Sequence, residues 1–252
     1  MPEHKVFITG ASRGIGAETA RVMAREWQWD IAIGAREKAA RAQKVAEEIA
    51  GLGRETKVVL GDITDEQQRE SVIAQVGEWA PQLGGLVLNA AGGLERGREE
   101  SYALNVNRDS QVALVRGLKP VLRDGVVVYV TSHWSHLYGQ VSMPPFDYEA
   151  VASTKKQGEM ALRDMQEELA DDGIRLAVVT AGVVDGTTVA TMAGRYHPDY
   201  LQEQRDIDNV VSIAETAEAV ADSVVDLILP TGHTKVVGAS VDTMLEKYSL
   251  QN

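Results

Sequence analysis

Short, β-branched apolar runs alternate with longer stretches in which apolar residues return every three or four positions, and the alternation continues along the whole 252-residue chain. The runs at 5–8, 31–34, 57–60, 86–88, 126–130, 175–180 and 235–238 read as strands. The stretches at 17–26, 38–50, 65–79, 102–122 and 214–229, and one more that closes at Ala170, read as helices. Strand–helix alternation is the pattern of a parallel sheet covered on both sides. The expected fold is α/β, a doubly wound parallel sheet in three α/β/α layers, forming one domain over 1–252. Other segments break the rhythm: 93–100 is polar and glycine-bearing, 133–147 holds two prolines and no period, and 183–211 lacks a firm pattern. The first two read as loops and the third as a cover carrying one or two short helices.

The first strand stops at Thr9, and Gly10, Ala11, Ser12, Arg13, Gly14, Ile15 and Gly16 lead straight into a helix. Glycine is required where φ is positive or where a side chain would hold a ligand off the backbone. The helix behind such a turn offers unpaired N–H groups and the positive end of its dipole. Strand, glycine turn and helix together therefore make a seat for a pyrophosphate, and a dinucleotide site is expected here.

Charge and composition narrow the function. A formal net charge of −12 disfavours nucleic acid and anionic membrane as partners, because no basic field offsets the general repulsion. The absence of cysteine excludes disulfides, thiolate nucleophiles and thiolate metal sites, and no metal is expected. No apolar run is long enough to span a bilayer, and the first strand begins without a leader pattern before it, so a cytoplasmic location is expected.

Taken in order, these pieces resemble the short-chain dehydrogenase/reductase family along essentially the whole chain. Thr9 to Gly16 matches the family's cofactor motif, and Asp62 with Ile63 looks like the pair that holds the adenine. Asn89, Ala90, Ala91 and Gly92 are similar to its Asn-Asn-Ala-Gly motif. Asn107 falls where the family keeps an asparagine feeding a water relay, and Ser132 where it keeps a carbonyl-binding serine. Gly182 corresponds to the glycine beside the nicotinamide, after Ala181 in place of the usual proline, and Thr187 or Thr188 to a threonine on the cofactor amide. The resemblance implies a Rossmann-type sheet with a cofactor half over 1–125 and a catalytic and substrate half over 126–252, the latter including a substrate lid at 183–211. It also implies a homodimer or homotetramer built through the helices around Asn107 and Lys155. The second strand ends in Gly34, Ala35 and Arg36, with no acid at its terminus. A carboxylate there suits the ribose 2′-OH of NAD and a cation the 2′-phosphate of NADP. Arg36, with Arg13 across from it, argues for NADP(H).

The family's catalytic helix carries Tyr-x-x-x-Lys, and Lys155 is the lysine whose distance to Gly173, Ile174 and Arg175 fits. Four residues before it stands Val151, which has no proton to give. Tyr148, the nearest tyrosine, precedes Lys155 by seven residues. In an unbroken helix it would lie about 10 Å away along the axis and lean further from the lysine, so it reaches the substrate only if the helix starts later. His133, His136 and Tyr138 are further candidate donors. The implied activity is NADPH-dependent reduction of a carbonyl, of ketone or 3-oxo type, on a small organic substrate. Ser132 would hold the developing oxyanion, Lys155 the ribose, Asn107 a water chain, and Tyr148 would act in place of the missing tyrosine. Val151 leaves two alternatives open, a nucleotide-binding protein without hydride transfer and a non-redox elimination or dehydration. On sequence alone, Val151→Tyr is expected to raise turnover.

Overall fold

The computed structural model describes residues 4–95, 100–144, 148–226 and 228–249. The first half runs β1 (Lys5–Ile8), α1 (Gly14–Glu26), β2 (Asp30–Ala35), α2 (Ala39–Ala50), β3 (Thr56–Leu60), α3 (Glu66–Trp79) and β4 (Gly85–Leu88). Next come α4 (Glu100–Leu104), a π-helical segment (Asn105–Asp109), α5 (Ser110–Leu118), β5 (Val126–Ser132), α6 (His133–Leu137), α7 (Glu149–Asp164) and α8 (Gln166–Ala170). The remainder is β6 (Arg175–Ala181), β7 (Val183–Val184), α9 (Thr188–Tyr196), α10 (Pro198–Asp206), β8 (Val210–Val211), α11 (Ile213–Val225), β9 (His233–Val237) and α12 (Val241–Ser249).

Seven strands pair in parallel in the order β3-β2-β1-β4-β5-β6-β9. The pleat sends neighbouring residues to opposite faces. Val6 and Ile8 of β1, with Val126, Val128 and Val130 of β5, enter the core beneath α1, α2 and α11. Phe7, Val127 and Tyr129 enter the one beneath α3, α5 and α7. Two cores explain why each central strand is apolar at every position. The winding reverses between β1 and β4, and a doubly wound sheet leaves its crevice at the carboxyl ends of the strands on either side of such a reversal. This is the Rossmann-type, three-layer single domain that the alternation predicts.

The differences from the sequence reading lie at element ends and in the irregular stretches. The helix expected over 102–122 is interrupted by the π segment and ends at Leu118 in a 3₁₀ turn, Lys119–Val121. The loop expected over 133–147 opens with α6, capped by Ser132 and Ser135 in a reciprocal capping box. At five residues it is too short to show a period. Residues 96–99 and 145–147 of the expected loops lie outside the described residues. The stretch at 183–211 forms α9 and α10 between two short strands, Val183 and Val184 pairing with Val210 and Val211. The helix expected over 214–229 stops at Val225, the last strand starts at His233, and α12 follows it unpredicted. Among the described residues no helix is long and apolar enough to cross a membrane.

Candidate active site

A cleft of about 720 Å³ opens at the carboxyl ends of β1, β2, β3 and β4, lined by Gly10, Ser12, Arg13 and Gly14 from the glycine turn. Gly10 and Gly14 both have positive φ, 67° and 58°, which only glycine adopts without strain. A Cβ on Gly14 would meet nothing within 4 Å, whereas one on Gly16 would lie 2.5 Å from Asn89 Nδ2. The two glycines therefore serve different ends, open space for a ligand and close packing of helix on strand. Ile15 packs on the sheet core. The first turn of α1 has no acidic residue and Arg13 makes no side-chain cap, so the N–H groups and dipole there are left for an anion.

Asn89 is the splint of this corner. Its N–H and that of Ala90 each donate to Thr9 Oγ1 at 2.9 Å, and its side-chain amide donates to Thr9 O at 2.9 Å. It thus holds the end of β1 to the end of β4. Asp62 and Ile63 line the far wall. Asp62 Oδ1 accepts from the backbone and hydroxyl of Thr64 at 3.0 and 2.7 Å, and the N-cap of α3 is Asp65, not Asp62. Arg36 lines the cleft on the β2 side; its Nη1 donates to Tyr102 Oη at 2.6 Å and its Nε lies 3.2 Å from Glu37. Arg13 Nη1 donates to Thr188 Oγ1 at 3.3 Å, and Thr187 caps α9 beside it.

A second group of side chains converges at the end of β5. The buried phenol of Tyr148 lies beside the side chain of Ser132. Helix α7 begins at Glu149 with Tyr148 as its N-cap, and the ring is buried among Trp134, Leu137 and Val151. Burial raises the Tyr148 phenol above its ordinary value, opposed by the Ser132 hydroxyl beside it, and keeps it in the protonated form that a donor needs. From the same helix Lys155 Nζ donates to Val130 O at 3.3 Å, and burial lowers its ammonium to about 8.

Asn107 braces this group. Its amide donates to Gly92 O and Thr154 Oγ1, each at 2.9 Å, and its Oδ1 accepts from Gly92 N at 3.2 Å. Its carbonyl, on the π segment, accepts from the fully buried Tyr129 hydroxyl at 3.0 Å. The side chain is thereby committed to holding the turn after β4 against α7. A Cβ on Gly182 would run into Asn209 Oδ1, so close packing against Asn209 also calls for a glycine there.

The other candidate donors point elsewhere. His133 is fully buried, its Nδ1 lies 2.9 Å from Asn209 Oδ1, and burial lowers it to about 4, so it is neutral where a histidine acid would have to be charged. His136 Nε2 lies 3.3 Å from Glu159, near the middle of α7. Tyr138 is partly buried in the apolar cluster with Trp134 and Leu137. Val151 is buried in that same cluster, and a Cβ on Gly93 would come within 2.9 Å of its Cγ2. A tyrosine at 151 overfills this site. Val151→Tyr is now expected to lower stability by about 1–3 kcal/mol, without a gain in turnover; a thermal melt beside a turnover assay checks it.

The family profile described as short chain dehydrogenase matches residues 4–196. A 1-cyclohexenylcarbonyl-CoA reductase of Streptomyces collinus is 27% identical over 191 residues, 73% of this chain and 65% of that protein. Among solved structures, a short chain dehydrogenase from Burkholderia cenocepacia in complex with NADP superposes with a TM-score of 0.77 at 23% identity, covering 95% of this chain and 98% of the other. An L-sorbose reductase from Gluconobacter frateurii, complexed with NADPH and L-sorbose, gives a TM-score of 0.78 at 22% identity, covering 96% and 97%.

Proposed function

The chain belongs to the short-chain dehydrogenase family, and from that premise we propose that it is an NADPH-dependent reductase of a small ketone or 3-oxo compound with Tyr148 as its proton donor. The observation that carries this reading is the convergence of Tyr148 and Ser132 at the strand end where Lys155 also arrives. The cleft fits the cofactor on its own features. Gly14 leaves space beside an uncapped helix N-terminus, and the wall toward the adenosine end carries Arg13, Arg36, Lys38 and Arg41, a cationic set suited to an extra phosphate. The NADP and NADPH in the two solved structures described above agree with this.

In this reading NADPH, when bound in the cleft, supplies the hydride. Ser132 orients the carbonyl oxygen and Tyr148 gives it a proton, so that the C=O group gains one hydride and one proton. Lys155, charged below about pH 8, is held by Val130 O at 3.3 Å and supplies positive field where negative charge develops on the substrate's carbonyl oxygen. Asn107 and Tyr129 act at a distance, by fixing α7. Membership of the family supports self-association into a homodimer or homotetramer through the helices around Asn107 and Lys155.

The test is NADPH oxidation over a panel of small ketones and 3-oxo compounds, with saturable turnover as the expected result. NADPH binding with no oxidation of any of them would favour a binding-only protein, the reading that Val151 supports. Product formed without NADPH would indicate elimination instead. For the cofactor, Arg36→Ala is expected to lower NADPH affinity about 10–100-fold while NADH affinity stays level, the effect of one charged phosphate contact. Fluorescence titration of both nucleotides measures it.

A further inference from the structure

Tyr102 belongs to no motif, lies on α4, and meets Arg36 from the opposite side of the cleft. Arg36 Nη1 donates to its hydroxyl at 2.6 Å, joining residues 66 apart in sequence, and both line the cleft. We infer that Tyr102 is a specificity-determining residue that recognises, together with Arg36, the 2′-phosphate of a bound adenosine; the inference rests on the NADP(H) reading above.

The argument is one of charge. Arginines that only support a fold are commonly matched with carboxylates, which cancel their charge and repel an incoming anion. The partner across the cleft from Arg36 is a neutral hydroxyl, and so is the partner of Arg13, Thr188 at 3.3 Å. Neutral hydrogen-bonding partners fix a guanidinium in place and leave its net charge for a ligand. Carboxylates do stand nearby. Glu37 takes the Nε edge of Arg36 at 3.2 Å, while Asp62 and Glu95 line the same cleft. The last two have hydrogen-bond partners of their own, Asp62 with Thr64 and Glu95 with Gly93 N at 2.6 Å. Glu37 is the acid that competes with a phosphate, on the edge of the guanidinium away from Tyr102.

The hydroxyl contributes in two ways. A phenol oxygen that accepts from a guanidinium is polarised to donate its own proton, and a phosphate is the strongest acceptor such a site can meet. Its bond also holds a long, flexible arginine over the crevice before the ligand arrives, which lowers the ordering cost of binding. A phenylalanine at 102 would keep the ring and lose both contributions.

The experiment is titration calorimetry of wild type and Tyr102→Phe with adenosine 2′,5′-bisphosphate and with adenosine 5′-monophosphate, with a thermal melt of each protein alongside. The expected result is that the variant binds the bisphosphate about tenfold more weakly and the monophosphate unchanged, as suits one lost hydrogen bond to a charged group. If the bisphosphate preference survives intact in Tyr102→Phe, or if both nucleotides weaken equally, the role assigned to Tyr102 is overturned while the NADP(H) reading stands. If wild type binds the two nucleotides equally well, the NADP(H) reading falls and this inference with it.

Discussion

Tyr148→Phe is expected to slow carbonyl reduction by about 10²–10⁴-fold, the usual contribution of a positioned general acid, with NADPH affinity unchanged. The substitution removes only the phenol oxygen beside Ser132, and the ring keeps its place in the apolar cluster with Trp134 and Val151. A fall in kcat with an unaltered nucleotide titration would therefore report lost chemistry and not lost fold. Full activity in the variant would move the proton source to water or to the substrate itself, because His133 and His136 are committed to Asn209 and Glu159.

Lys155→Met is expected to have the next largest effect, a loss of about 10²–10³-fold in kcat/KM, in line with the removal of one electrostatic stabiliser from a preorganised site. The pH profile makes the assignment specific. Burial lowers Lys155 to about 8, so it is charged below that pH and loses its proton as the pH rises through it. Burial moves Tyr148 the other way, above the ordinary tyrosine value, so its ionisation is separated from that of the lysine. Wild-type activity should decline above pH 8. That decline should be absent from the residual activity of Lys155→Met and present in that of Tyr148→Phe. A decline that persists in Lys155→Met would remove Lys155 as its source.

The parts of this protein that are legible in the sequence are those encoded locally. The glycine turn, the apolar strands and Ser132 at the end of β5 each follow from a short stretch read by itself, because backbone conformation and two-sided burial leave a residue-level imprint. What escapes is set by contacts between distant segments. Tyr102 reads as an ordinary helix residue until Arg36 arrives from the end of β2. The close packing of Gly182 against Asn209 joins segments that no local pattern pairs. The π segment that turns the Asn107 carbonyl toward Tyr129 has no composition of its own. The reach of Tyr148 turns on a helix start one residue after it, and helix starts are among the boundaries that pattern fixes least well.

The contact between Gly182 and Asn209 has an evolutionary side. Val183 N donates to Asn209 O at 2.8 Å, and the strand pair that follows closes the excursion through α9 and α10 almost where it leaves the sheet. A detour whose two ends are stapled together is a module. Its interior can lengthen, shorten or be exchanged for another sequence at small cost to the scaffold, since doubling a closed loop adds only about 0.6 kcal/mol of closure entropy. With Gly186 to Val189 kept, because they line the nucleotide cleft, residues 190–206 are the exchangeable interior of that module.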